Sequence, residues 1–248
     1  YALEQKHRVS SSEDLIALAE NIRSQLTLLT DASDNIHALE EEISSETIIA
    51  QKLAAKLSSG RQKAAEMLRK IVEKSLSLMD MPAAKFVVNI QSSTELNSYG
   101  MDKITFLFSA NNSLAPRSLA EVASGGEMSR VMLALKALTS RQIQLPTIVF
   151  DEIDTGVSGK VASSMAQIMG EMCKEAEQQV LAITHLPQIA AKADVHYFVY
   201  KEDVDGRTLT RIRELNSEQR ITELAHMLSG SKVTDAAMEN ARQLLQDK

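Results

Sequence analysis

Two adjacent acids, Asp151 and Glu152, close the short run TIVF at residues 147–150. All four residues of that run are β-branched or aromatic, which predicts a strand buried on both faces. Neighbouring strand residues point to opposite faces, so at a strand's end the two carboxylates can serve different targets. A second apolar run, QVLAIT at 179–184, ends directly before His185. Between the two lie the turn IDTGVSG, which contains Asp154, and a helical pattern from about residue 160 to 177. Strands joined through a helix imply a right-handed crossover and a parallel sheet. Such sheets bind ligands at the carboxyl ends of their strands, where Asp151, Glu152 and His185 all fall. Upstream, Ser124, Gly125 and Gly126 precede a helical pattern from about 127 to 139, with Met128, Val131, Met132, Leu135 and Leu138 on its apolar side. A serine and two glycines at a helix start leave backbone N–H groups exposed, and these donors suit a phosphate at the positive end of the helix dipole. Each signal alone also fits a plainer role: an acidic turn, a serine cap or a structural histidine.

Taken together, the stretches ASGGEMSR (123–130), TIVFDEIDTGVSG (147–159) and LAITHLPQIA (181–190) stand in the order used by ATP-binding-cassette ATPases: signature loop, Walker B strand, D-loop and switch histidine. Their wording resembles the RecN family of SMC-like DNA repair ATPases, and the resemblance extends along the whole chain. It implies an α/β fold, the C-terminal lobe of an ABC/SMC-type P-loop ATPase head, preceded by a long coiled-coil arm. It also implies roles. Asp151 would hold Mg²⁺, Glu152 would polarise the attacking water, and His185 would contact the γ-phosphate of ATP. Ser124, Gly125 and Gly126 would close over ATP held by the opposite head of a homodimer, and Asp154 would lie in the turn that touches that head. DNA would be the substrate on which the heads act, in the cytoplasm and on the nucleoid.

One motif is missing. A Walker A loop needs G-x-x-x-x-G-K-[ST]. The only Gly-Lys pair, Gly159-Lys160, is followed by Val161 and preceded five positions earlier by Asp154. In RecN-like proteins this loop lies in an N-terminal lobe, so the resemblance implies an N-terminal half as partner and a chain inactive by itself. The start, YALEQKHR, has no initiator Met, as expected of a piece of a longer protein.

The remaining sequence describes what carries these motifs. Residues 13 to 79 contain no Pro and only Gly60. Leu15, Leu18, Ile22, Leu26 and Leu29, then Ile36, Leu39, Ile43, Ala50, Leu53, Leu57, Ala64, Met67 and Ile71, recur at three- and four-residue steps once Glu46 and Gly60, which occupy seam positions and weaken it, are counted in, the seam of a coiled coil. The polar stretch TDASDN (30–35) is expected to break or kink this helix. An arm of about 65 residues would reach roughly 100 Å if straight, and its seam needs a partner helix. Met81-Pro82 ends the pattern, which divides the chain into an arm (1–80) and a head lobe (81–248). Strands are expected at 86–90 and 103–110 with a broad turn at 95–102, then at 196–202 and 208–215 around a turn at Asp205-Gly206. Short helices at 186–193, 219–228 and 234–246 complete the lobe.

The net charge is −6, with 44% hydrophobic and 4% aromatic residues. That excludes a basic surface spread over the whole chain, so any nucleic-acid contact must be local. One cysteine, Cys173, permits no intrachain disulfide, and no run of about 18 apolar residues suits a membrane span. His7, His37, His196 and His226 have no metal-ligand spacing. Two other readings fit the pattern: the head of another SMC-like chromosome-organising ATPase, and a coiled-coil interaction module without catalysis.

Overall fold

The structure is a computed structural model, and it describes residues 2–121, 124–157, 159–176, 178–204, 206–230 and 232–246. Ala123, Ser158, Glu177 and Asp205, which the sequence reading places in the signature stretch, the motif turn, a helix end and a hairpin turn, lie outside them. The chain forms two compact units, Tyr1–Gln62 with Gln91–Lys103, and Lys63–Ile90 with Ile104–Lys248.

A short helix α1 (Ala2–His7) precedes α2 (Ser12–Leu78), a single helix of 67 residues. The expected break at 30–35 does not occur: α2 runs through it unbroken. The hydroxyls of Thr27 and Thr30 donate to the carbonyls of Arg23 (3.0 Å) and Leu26 (2.9 Å). These two hydroxyls, which could compete with a helix elsewhere, are thus satisfied inside this one. The seam is open, with Ile22, Leu26, Leu29, Ile36, Leu39 and Ile43 all exposed.

After Met79, Asp80 adopts a left-handed backbone (φ 64°), and the N–H of Met81 donates to the carbonyl of Leu76 at 3.0 Å. This stops the helix just before Pro82. β1 (Lys85–Asn97) and β2 (Gly100–Ser109) follow, with β3 (Arg117–Ser118) pairing antiparallel to β2. The sheet order is β1-β2-β3. The expected broad turn at 95–102 is corrected to two residues, Ser98 and Tyr99. Within the first unit, Asp102 is fully covered and accepts from Ser58 Oγ and Arg61, both at 2.9 Å, while Arg61 also donates to the Tyr99 carbonyl at 2.7 Å. Those contacts fasten the far end of the hairpin to α2 and let the strands extend past the residues that alternation alone predicts.

In the second unit, α3 (Gly125–Ile143), β4 (Thr147–Asp151), α4 (Gly159–Ala176) and β5 (Gln179–Ile183) form the strand–helix–strand segment. β4 and β5 pair in parallel, from Thr147 opposite Gln179 to Asp151 opposite Ile183. Val131, Leu133, Phe150, Val161, Met165, Met169 and Met172 build the main core with Val72, Leu76, Phe86 and Phe108. The methionines of α4 are core filler, as their spacing predicts. The strands are not buried on both faces, however: Val149 is 57% and Ile183 56% exposed. The core covers one side of the β4–β5 pair and leaves the other bare, although the all-apolar composition suits two covered faces.

α5 (Pro187–Lys192), the ribbon of β6 (Tyr197–Val204) and β7 (Arg207–Glu214), α6 (Ser217–Ser229) and α7 (Asp235–Gln246) complete the chain. α6 starts with a capping box in which Asn216 and Gln219 bond reciprocally. Helices α5 to α7 share a small core of Ala190, Ala191, Leu224, Ala225, Ala237 and Ala241.

Candidate functional site

Asp151 is the last residue of β4, and Glu152 leaves the strand. Its backbone is left-handed, with φ 48°, and its N–H donates to the carbonyl of Ile183 at 3.2 Å. The two carboxylates are therefore separated by a backbone reversal as well as by strand alternation. A left-handed backbone costs a non-glycine residue roughly 1–2 kcal/mol, so the cross-strand bond and the following turn must hold it. The Glu152 carbonyl accepts from Thr155 N (3.3 Å) and Thr155 Oγ1 (3.0 Å). Both acids are exposed.

Asp154 turns inward. Its side chain is fully buried, whereas that of His185 is 68% exposed. One carboxylate oxygen of Asp154 gathers three groups from the end of β5. The Thr184 hydroxyl donates to it, the His185 backbone N–H donates at 3.2 Å, and His185 Nδ1 lies 3.5 Å away. Thr184 Oγ1 in turn accepts from Leu186 N at 3.0 Å. The other oxygen, Oδ1, is buried and has no partner among the described residues. Asp154 thus acts inside its own chain as the link from the β4 turn to the strand-end histidine, and its carboxylate is not presented outward. Thr184 is part of this arrangement and escaped sequence reasoning, because a threonine ending an apolar strand carries no signal of its own.

The Ser124–Gly126 stretch comes to the same turn. Ser124 occupies the N-cap of α3 with an extended backbone, and its side chain makes no capping hydrogen bond. Ser124 and Gly125 are exposed, while Gly126 is buried. A Cβ on Gly126 would sit 2.8 Å from the carbonyl oxygen of Gly156 and 3.4 Å from that of Thr155, a separation only glycine permits. Gly156 itself has φ 74°. Arg130, one turn on, donates from Nε to the Gly126 carbonyl (2.9 Å) and from Nη1 to the Met79 carbonyl (3.1 Å), joining the start of α3 to the end of α2.

All seven residues singled out from sequence, Ser124, Gly125, Gly126, Asp151, Glu152, Asp154 and His185, therefore lie on three connected segments. Gly126 touches the turn after β4, that turn is bound through Asp154 to the end of β5, and Glu152 is bound to Ile183. The exposed groups are a hydroxyl, free helix-start amides, two carboxylates and an imidazole. Such a set can take phosphate oxygens, a divalent cation and a water.

No protein-family model matches the chain. It is 35% identical to the DNA repair protein RecN of Haemophilus influenzae over 244 residues, which are 98% of this chain and 43% of that protein. The RecN of Bacillus subtilis is 35% identical over 248 residues, 94% and 43% of the two chains. That of Vibrio cholerae is 34% identical over 247 residues, 98% and 44%. The chain spans a little under half the length of these relatives. Two solved Smc head domains share its fold. One, from Pyrococcus furiosus, carries an extended coiled coil and is bound to the C-terminal domain of ScpA; it superposes with a TM-score of 0.51 at 17% identity, over 88% of this chain and 52% of that one. The other, from Pyrococcus yayanosii, carries a coiled coil and joint and gives 0.51 at 20% identity, over 66% and 29%. The fold is the one these Smc head domains share, with a helical arm, and by sequence the chain matches, over nearly its whole length, a part of the RecN DNA repair proteins.

Proposed function

We propose that this chain is the C-terminal part of a RecN-like ATPase of DNA break repair and that it supplies half of a composite ATP site. The observation that carries this reading is the linked set at the ends of β4 and β5: Asp151, Glu152 and His185 at one sheet edge, with Asp154 joining the two strand ends. Asp151 would hold Mg²⁺, and its exposed carboxylate fits that task. Ser124, with no capping bond to give up, and the Gly125 amide would take the γ-phosphate of ATP bound to a partner head. Gly126 serves by letting the loop lie against Gly156. Glu152 orients the water, and His185, its imidazole beside Asp154, faces the phosphate. Mg²⁺ supplies charge neutralisation on the phosphate oxygens when bound.

The Walker A lobe, the second helix of the arm and a second head come from outside these 248 residues. The open α2 seam and the bare face of β4–β5 support both an antiparallel partner helix and a covering lobe. DNA is the substrate on which the assembled heads act, in the cytoplasm on the nucleoid. Among the described residues no helix is long and apolar enough to cross a membrane.

The test mixes this chain with a separately purified N-terminal half of a RecN protein and follows phosphate release with ATP and Mg²⁺. Turnover is expected from the mixture and from neither half alone, and Glu152→Gln should abolish it. A stable complex of the two halves with no turnover would instead favour an interaction module.

A further inference from the structure

The ribbon of β6 and β7 has two unlike faces. Its register sets Phe198 opposite Arg213, Tyr200 opposite Arg211, Glu202 opposite Leu209 and Val204 opposite Arg207. Side chains alternate along a strand, so these eight share one face. The opposite face mixes Tyr197, Val199 and Ile212 with Lys201, Asp203, Thr208, Thr210 and Glu214; Val199 is 61% and Ile212 67% exposed.

On the arginine face, charge and rings are interleaved. The Arg213 guanidinium lies 5.5 Å from the Phe198 ring centre and 5.6 Å from that of Tyr200. The two rings stack at 5.7 Å with 12° between their planes. Arg207, Arg211 and Arg213 are all exposed. Glu202 is the one acid on this face, paired with Arg211 at 3.1 Å. A chain of net charge −6 thus gathers three guanidiniums against one carboxylate here. Arg211 and Arg213, two residues apart on an extended strand, lie about 7 Å from one another along it.

We propose that this face binds single-stranded nucleic acid. The arginine forks take phosphate oxygens, and the Phe198–Tyr200–Arg213 stack offers a flat platform to an unpaired base. An acidic peptide would use the charge and leave the rings idle. A duplex keeps its base faces inside and cannot use the platform. The ribbon shares no residue with the strand-end site, so the proposal does not rest on the ATPase reading and is tested without nucleotide.

The experiment is fluorescence anisotropy of the 248-residue chain with labelled oligothymidylate of 20 residues and with a matched duplex, titrated with NaCl. Oligothymidylate should bind more tightly than the duplex. The triple change Arg207→Gln, Arg211→Gln, Arg213→Gln should lower affinity at least tenfold and flatten the slope of log K against log salt by about 2, near 0.7 per lost phosphate contact on a single strand. Phe198→Leu with Tyr200→Leu should weaken binding about tenfold at an unchanged slope. Lys201→Gln, a cation on the other face, should change little. Circular dichroism checks that each variant is folded, and the arginine changes, all at exposed positions, keep the test valid where the aromatic pair fails to fold. The proposal is overturned by absence of oligothymidylate binding at low salt, by binding that survives the triple change, by a duplex bound equally well, or by Lys201→Gln acting as strongly as the arginine changes. Full competition by polyglutamate at equal charge would point to an acidic peptide and also overturn it.

Discussion

Gly125 and Gly126 stand side by side at the start of α3, yet they should answer alanine in opposite ways. At Gly125 an added Cβ meets nothing within 4 Å, whereas at Gly126 it lies 2.8 Å from the Gly156 oxygen and 3.3 Å from the Gly156 carbon. Neither glycine has a positive φ, so alanine is conformationally acceptable at both. Each substitution narrows the unfolded ensemble by a similar amount, about 0.4–1 kcal/mol in favour of folding. That contribution cancels when the two variants are compared. What remains is the collision at Gly126 with backbone atoms that cannot swing aside, about 1–3 kcal/mol for overpacking. Gly125→Ala should therefore equal or slightly exceed the parent in stability, and Gly126→Ala should fall about 1–3 kcal/mol below Gly125→Ala. For a chain of this size that is a separation of roughly 2–12 °C in melting temperature. Urea unfolding of the three proteins, with slopes compared to establish a common denatured state, measures it directly. If the two alanine variants were equally stable, or Gly125→Ala the weaker, the close approach of α3 to the turn after β4 would not be what requires glycine there.

Four further outcomes follow from contacts elsewhere. Arg130→Lys should destabilise nearly as much as Arg130→Ala, about 2 kcal/mol by chemical denaturation, because an ammonium cannot reach the Gly126 and Met79 carbonyls together; full rescue by lysine would refute the two-ended role. Arg61→Met should speed amide exchange across 95–103, leaving Asp102 covered without its cation, and protection equal to the parent's would show that the hairpin holds itself. The Arg61 guanidinium, with help from Ser58 Oγ, also keeps the Asp102 carboxyl below its ordinary range. A depressed carboxylate contributes stability above its unfolded value and loses it as pH falls through the folded one, so this hairpin end should loosen on acidification below about pH 4. Burial, and then the nearby Arg220 guanidinium, depress the pKa of His196. The unfolded chain binds that proton first, so stability should decline as pH falls below about 6.5, and His196→Gln should remove that part of the pH dependence.

Much of the site was legible before the fold. The run ending at Asp151 and the one ending at His185 are separated by a helical pattern, and a parallel crossover brings their ends together whatever the details. The inward turn of Asp154 was not legible. The identity of the residue says nothing about direction, and its partners, Thr184 and the His185 amide, lie about 30 residues away. The hairpin of β1 and β2 was underestimated because its outer half is polar, from Gln91 to Asn97. It is extended by contacts with Ser58 and Arg61 in a helix more than 35 positions earlier. The polar stretch at 30–35 misled for the opposite reason: a residue that suits a cap can also sit inside a helix, as Thr30 does by donating its hydroxyl to the Leu26 carbonyl one turn earlier.

The strand registers also set an order of assembly. In the ribbon, Val204 pairs with Arg207, close by in the chain, a closure that hairpins complete in about 1–10 μs. Thr147 and Gln179, the first pair of β4 and β5, are 32 positions apart, with the whole of α4 between them. Their closure is slower by the entropy of that loop and must wait for Val161, Met165 and Met172 to dock. Glu152 and His185 gain their positions only from that late event. We therefore expect pulsed hydrogen exchange during refolding to protect the amides of 197–204 before those of 147–151, and the reverse order would show that the parallel pair nucleates. A chain interrupted between these two events would possess its arginine face while its carboxylates and imidazole had yet to meet.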